Sequence, residues 1–117
     1  MTLTNDSARV ELLAEFTARP GCEEEVERLL LAFTVEVRRE PGCLDFTSHR
    51  VEAPPMGGSA VPGPPATGRR FIVTEAYSDG EAFAAHLGAQ HGAAFNAALA
   101  PLIEEPASVL TFLRAIA

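Results

Sequence analysis

Four segments of the chain have the residue pattern of β-strands. Apolar and polar side chains alternate in residues 9–18 and again in residues 69–77, with the period of a half-buried strand. A weaker alternation runs from Leu44 to about Glu52, and residues 107–117 are apolar on both faces. We therefore predict four strands, the last of which offers apolar side chains to both sides of a sheet.

Apolar residues at helical spacing occupy the intervals between these strands. The first predicted helix lies between Pro20-Gly21 and Pro41-Gly42. Ser78 and Glu81 form an S-x-x-E capping box that begins a second helix, and we expect a break near Gln90. The apolar positions of a third helix are Phe95, Leu99 and Leu102.

The resulting order, β-α-β-β-α-β, is that of a ferredoxin-like α+β fold with helices on one face of an antiparallel sheet. We predict a single domain over residues 1–117. Residues 53–68 form a loop inserted between the middle strands, because their five prolines and four glycines favour neither a helix nor a central strand. This loop is expected either to cover a pocket or to extend a dimer contact.

The apolar residues of the last predicted strand indicate that the chain forms an oligomer. These residues face both sides of the sheet, and leaving one side in water would expose an unusual apolar patch. A second copy of the chain is the simplest cover. We therefore predict a homodimer in which sheet packs on sheet, a dimeric α/β barrel.

Charge and composition exclude several functions. The chain has 16 acidic and 9 basic residues and a net charge of −7, which disfavours nucleic acid and anionic membranes as partners. No signal peptide or membrane-spanning run is present, so a cytoplasmic protein is expected. Cys22 and Cys43 lie at opposite ends of the first helix, too far apart for a disulfide.

His86 and His91 are the candidates for proton transfer, since histidine exchanges protons near neutral pH. Glu75 shares a strand face with apolar residues, where a carboxylate must be paired or neutral. It either orients a histidine or substrate hydroxyl, or forms an ion pair with Arg50, Arg69 or a partner subunit. Structural roles are the alternative for both histidines.

The remaining candidates would bind a substrate. Tyr77 either donates a hydrogen bond to a substrate oxygen or is a core aromatic residue. Four phenylalanines are core residues that could line a cavity: Phe46, Phe71, Phe83 and Phe95. Two histidines without a third ligand make a poor metal site, and no flavin, dinucleotide or phosphate motif is present, so we predict neither metal nor cofactor.

Three segments, at 16–26, 38–46 and 75–91, resemble the antibiotic-biosynthesis monooxygenase family in their residues and order. They read F-T-A-R-P-G-C-E-E-E-V, R-R-E-P-G-C-L-D-F and E-A-Y-S-D-G-E-A-F-A-A-H-L-G-A-Q-H. The resemblance implies a dimeric barrel with a pocket between sheet and helices. The A-H-L-x-x-x-H stretch looks closest to the quinol monooxygenases, whereas E-A-Y-x-D looks equally like an isomerase of the same family.

Three functions remain open from the sequence. The first is a cofactor-independent monooxygenase that uses O₂ on a quinol or aromatic polyol, with His86 or His91 as base and Glu75 and Tyr77 orienting hydroxyls. The second is an isomerase of a small dicarbonyl, which inward-pointing arginines would favour. The third is a non-enzymatic dimer that binds a small molecule.

Overall fold

The computed structural model describes residues 8–55, 61 and 63–117. The strands are β1 (Val10–Thr17), β2 (Cys43–Arg50), β3 (Arg70–Tyr77) and β4 (Val109–Leu113). The helices are α1 (Glu23–Arg38), α2 (Gly80–Leu87) and α3 (Gln90–Leu99), and a single 3₁₀ turn at Ala100–Leu102 extends α3. The predicted break near Gln90 is present as the junction between α2 and α3.

The four strands form one antiparallel sheet in the order β2-β3-β1-β4. This is the topology of a ferredoxin-like α+β fold, and it confirms the predicted fold class. β3 lies at the centre beside β1, and Leu12 is paired with Glu75 across the two strands. Glu75 is therefore held in the middle of the sheet and not at an edge.

The hydrophobic core lies between one face of the sheet and the helices. Phe33 of α1 and Phe95 of α3 stack with ring centroids 4.1 Å apart, above Phe46 of β2. Each fully buried side chain of this size stabilises the fold by about 1.5–3 kcal/mol. The core therefore fixes α1 and α3 against the sheet, and α2 follows at the end of β3.

Two predictions about element boundaries were wrong. Helix α2 is capped by Asp79, whose side chain accepts the Ala82 N–H at 2.8 Å, and not by a box of Ser78 and Glu81. The Ser78 N–H instead donates to Gly42 O at 2.9 Å, which holds Ser78 outside the helix. β4 is shorter than predicted because it ends opposite Glu11, where β1 has almost no residues left to pair with.

The inserted segment is described only in part. Residues 53–55, 61 and 63–68 are in neither helix nor strand, as predicted for a loop. Residues 56–60 and 62, on which the prediction of a cover or a dimer extension also depends, lie outside the described residues. None of the helices in the described part of the chain is long and apolar enough to cross a membrane.

Candidate functional site

A cavity of about 280 Å³ lies between the sheet and the helices. Its walls come from all four strands, all three helices and the segment before β4. Most of the lining is apolar, including Phe33, Phe46, Phe83 and Phe95, and the polar groups among the described lining residues include Glu75, His86, Asn96 and Ser108. An apolar hollow of this size with a few polar groups is typical of a small-molecule site.

Glu75 is buried in this wall with 7% of its surface exposed. The Tyr77 hydroxyl, two residues along the same strand face, donates to Glu75 Oε1 at 2.7 Å. Tyr77 itself is fully buried and does not line the cavity. It therefore orients the carboxylate from behind and does not face the cavity.

His86 on α2 stands next to this carboxylate. Its Nε2 lies 3.8 Å from Glu75 Oε1, beyond hydrogen-bond distance but within range of charge interaction. Aromatic rings surround the imidazole, and the nearest is Tyr77, with ring centroids 4.9 Å apart. The ring is thus fixed by packing, with Nε2 on the side of Glu75.

The other nitrogen of His86 contacts Glu40, a residue that the sequence analysis did not select. His86 Nδ1 lies 3.0 Å from Glu40 Oε1 and 3.1 Å from Oε2. His91 Nε2 lies 2.5 Å from Glu40 Oε2, so one carboxylate bridges both histidines. An acidic residue just after the C-terminus of a helix opposes the helix dipole, and that unfavourable placement was the available signal.

Close packing at Gly42 brings Glu40 to the histidines. A Cβ placed on Gly42 would lie 2.2 Å from the Ala82 Cβ, closer than two carbon atoms can approach. Only glycine therefore lets the turn between α1 and β2 pack directly on α2. The P-G pair that ends α1 in the sequence thus has a second role, which is to position the turn that carries Glu40.

Burial is the largest influence on the pKa values of Glu75 and Tyr77. Desolvation raises the pKa of Glu75, against the hydrogen bond from Tyr77 and the charge of His86, which lower it. Burial and the hydrogen bond to Glu75 both raise the pKa of Tyr77. Burial, together with the nearby carboxylates of Glu40, Asp45 and Glu75, also raises the pKa of Cys43, which argues against a thiolate nucleophile.

The structure separates the predicted site residues into two groups. His86, Glu75 and three of the phenylalanines line the cavity. Tyr77 and His91 lie behind the lining, where Tyr77 contacts Glu75 and the His91 ring centroid lies 5.9 Å from that of Phe33. Phe71 lies outside the cavity lining, where it stacks on Phe16 with ring centroids 5.9 Å apart. It faces a smaller hollow of about 110 Å³ beside Arg50, so the geometry gives no support to its predicted role.

For Glu75, the alternative of an ion pair with Arg50 or Arg69 is wrong. Arg50 Nη1 lies 3.3 Å from Glu27 Oε1, and Arg69 pairs with Glu104. Arg70 pairs with Glu15. No arginine is among the described residues that line the cavity. These three arginines instead form ion pairs with glutamates that lie outside the cavity lining.

The described residues offer no group of three or more His, Cys, Asp or Glu side chains arranged to hold a metal ion. The polar side chains in and behind this part of the cavity wall instead form two hydrogen-bonded groups. Glu40 faces ring nitrogens of both histidines, and Glu75 accepts from Tyr77. What this arrangement can do is accept a proton at a fixed imidazole and bind a hydroxyl group beside it.

These features define a small α+β protein with a histidine–carboxylate site in an apolar cavity. The family model described as antibiotic biosynthesis monooxygenase matches residues 9–98. This chain therefore belongs to the antibiotic biosynthesis monooxygenase family, as the sequence motifs indicated. No curated protein matches the chain.

Solved structures share the fold over nearly the whole chain. The protein Rv0793 of Mycobacterium tuberculosis is 23% identical, with a TM-score of 0.76, and covers 94% of this chain and 97% of its own. The protein PA3566 of Pseudomonas aeruginosa is 24% identical, with a TM-score of 0.75 and coverages of 94% and 96%. A Caulobacter crescentus protein that is named for the same family is 23% identical, with a TM-score of 0.75 and coverages of 94% and 92%.

Proposed function

We propose that this protein is a cofactor-independent monooxygenase that acts on a quinol or a related aromatic polyol. The observation that carries the proposal is the position of His86 Nε2 beside the buried Glu75, in the wall of an otherwise apolar cavity. Family membership supports an oxidoreductase, although the family contains several reactions and fold alone does not select one. The cavity volume of about 280 Å³ suits a ring system of small size.

The first chemical step is a proton transfer. A hydroxyl oxygen placed about 2.8 Å from both His86 Nε2 and Glu75 Oε1 satisfies normal hydrogen-bond distances, because those two atoms are 3.8 Å apart. His86 takes the hydroxyl proton, and the resulting anion is electron-rich enough to react with O₂. The hydroxyl has one proton, which His86 Nε2 and Glu75 Oε1 share as acceptors before His86 takes it. Glu75, held by Tyr77, thereby fixes the orientation of the substrate oxygen.

The substrate supplies every electron for the reduction of oxygen. A quinol plus O₂ gives a hydroxyquinone plus water: one oxygen atom forms a new bond to the ring, and the other leaves as water with two hydrogens from the substrate. The apolar walls shield the anion and the oxygenated intermediate from solvent. No redox group beyond the substrate is required by this balance.

Charge favours an uncharged substrate over a phosphorylated one. Arg50, Arg69 and Arg70 would have favoured the isomerase alternative if they had pointed inward, and each is paired with a glutamate away from the cavity. The described lining beside His86 carries the carboxyl group of Glu75, which repels phosphate when it is ionised. A neutral phenol donates a hydrogen bond to the same group without that repulsion.

A homodimer forms part of the proposal. Val109 and Leu113 pair with Glu15 and Glu11 on the face of the sheet that carries no helices. They are 48% and 50% exposed in the single chain. A second copy packed against this face would cover them, as predicted from the sequence.

Light scattering tests the dimer. We expect a mass twice the 12.4 kDa of one chain, and a shift toward single chains when Leu113→Asp places a charge in the contact. Leu31→Asp is the matched control, because Leu31 is 60% exposed on α1 and away from the bare sheet face. A wild-type protein of single-chain mass would contradict the dimer.

Oxygen uptake tests the reaction. With a panel of uncharged hydroquinones, we expect the wild-type protein to consume O₂ and His86→Ala to lose about 100-fold or more in rate. His49→Ala is the matched control, since His49 is exposed on β2 and outside the cavity. Consumption of a dicarbonyl without O₂ uptake would instead support the isomerase.

A further inference from the structure

We propose that Glu40 is a positioning residue that fixes the tautomer of His86, so that Nε2 is the unprotonated nitrogen facing the cavity. The inference rests on the proposed function for its kinetic consequence, and on geometry alone for the tautomer. Both oxygens of Glu40 lie within 3.1 Å of His86 Nδ1. An ionised carboxylate only accepts hydrogen bonds, so Nδ1 must carry the proton.

A neutral imidazole has one N–H, and placing it on Nδ1 leaves the lone pair on Nε2. That nitrogen lies 3.8 Å from Glu75 Oε1. With the opposite tautomer, Nδ1 would set a lone pair against the Glu40 carboxylate, and Nε2 would be unable to accept a substrate proton. The base function of His86 therefore depends on a residue that does not line the cavity.

His91 holds Glu40 from the other side. Its Nε2 lies 2.5 Å from Glu40 Oε2, so His91 donates a second N–H to the same carboxylate. The side chain of His91 is 24% exposed, against 11% for His86. We assign His91 the outer position, where it restrains Glu40 without contact with the substrate.

The backbone around Glu40 is equally constrained. Its N–H donates to Val37 O at 2.9 Å, and its C=O accepts from the Cys43 N–H at 3.1 Å. Ser78 N–H binds Gly42 O at 2.9 Å, which ties the same turn to the start of α2. The carboxylate thus approaches α2 from a fixed turn, and its position does not depend on a flexible loop.

Glu40→Gln tests the inference because an amide offers one acceptor oxygen and one donor nitrogen. The amide oxygen can therefore accept an N–H from His86 or from His91, but the carboxylate accepts from both. We expect imidazole ¹⁵N spectra of the wild type to show His86 protonated at Nδ1 and bare at Nε2. In Glu40→Gln, we expect one of the two histidines to change its tautomer or to become a mixture.

Kinetics provide the second readout. If the proposed reaction is observed, Glu40→Gln should lower kcat by about 100-fold while KM changes little. His86 protonated at Nε2 cannot accept the substrate proton, whereas the residues that bind the substrate are unchanged. Glu40→Asp keeps the carboxylate and should recover part of the rate. Glu36→Gln, an exposed position of α1, is the control and should behave as the wild type.

The outcomes separate the two proposals. A wild-type His86 protonated at Nε2 overturns the inference even if Glu40→Gln fails to fold, and so does a folded Glu40→Gln with both tautomers unchanged. Failure of oxygen uptake in a wild type that has the expected tautomer contradicts the proposed function and leaves the role of Glu40 in place.

Discussion

Glu75 and Glu105 are two carboxylates removed at least partly from solvent, and they differ in their hydrogen-bond donors and in the direction of their pKa shifts. Glu105, in the segment before β4, accepts the N–H of Thr17 at 2.7 Å and its hydroxyl at 2.8 Å. Burial would raise its pKa, but these two donors lower the pKa overall. Within the described part of the chain, Glu75 accepts a hydrogen bond from the Tyr77 hydroxyl alone, and burial raises its pKa.

The difference shows which carboxylate is structural. Glu105 has donors enough to keep its charge, and it ties the chain before β4 to the end of β1. Glu75 is left short of donors in an apolar wall, where a charged carboxylate is costly unless another group approaches. A substrate hydroxyl or a protonated His86 would be that group, which supports the proposal that the chemistry takes place beside Glu75.

The largest expected effect on stability comes from Glu105→Gln. The amide can accept from only one of the two Thr17 donors as well as the carboxylate does, so we expect a loss of about 1–3 kcal/mol in the free energy of unfolding at pH 7. Because folding lowers the pKa of Glu105, this stabilisation is present above the ordinary glutamate pKa and disappears as the pH falls through the folded value.

Chemical denaturation at pH 7 and pH 3 measures this change. Glu104→Gln is the neighbouring control, because Glu104 pairs with Arg69 on the surface, where such a pair contributes about 0–1 kcal/mol. An equal loss in both variants would show that Glu105 has no special structural role.

Glu75→Gln should have a smaller effect of the opposite sign. Folding raises the pKa of Glu75, so its contribution is fully present below the ordinary glutamate pKa and is lost as the pH rises through the folded value. Replacing it with a neutral amide should therefore raise the free energy of unfolding at pH 8, with no gain at pH 3.

Thermal unfolding at both pH values tests this, with activity measured in parallel. We expect higher stability and weaker substrate binding in the same variant, which would be the signature of a residue kept for function. A loss of stability at pH 8 would contradict the difference drawn between Glu75 and Glu105.

The sequence pattern predicted the fold because β1 and β3 alternate with a period of two and the helices have apolar residues at helical spacing. The alternation of β1 and β3 also revealed Glu75, since a carboxylate on an apolar strand face breaks the pattern. Phe71 shares that face and is a core residue, as predicted, but it lies outside the lining of the main cavity. A period of two gives the face of a strand and not the position along it. Phe71 is placed beside Arg50, whose guanidinium lies 5.4 Å from the ring centroid.

Glu40 could not be found by the same reasoning. Its position after the C-terminus of α1 is unfavourable for a carboxylate, but that does not identify its partners, which are 46 and 51 residues away in the chain. Contact between them depends on how closely the turn packs on α2, which is decided by the missing Cβ of Gly42. Such tertiary proximity has no periodic signal in the sequence.

The central claim is that His86, oriented by Glu40 and facing Glu75, is the base of an oxygen-consuming reaction. The most direct measurement is O₂ consumption by wild type, His86→Ala and His49→Ala with an uncharged hydroquinone, with the product analysed for a new ring oxygen. We predict that the wild type and His49→Ala turn over the substrate and that each product molecule gains one ring oxygen from O₂. The rate of His86→Ala should be lower by at least about 100-fold. Equal uptake by wild type and His86→Ala would contradict the account.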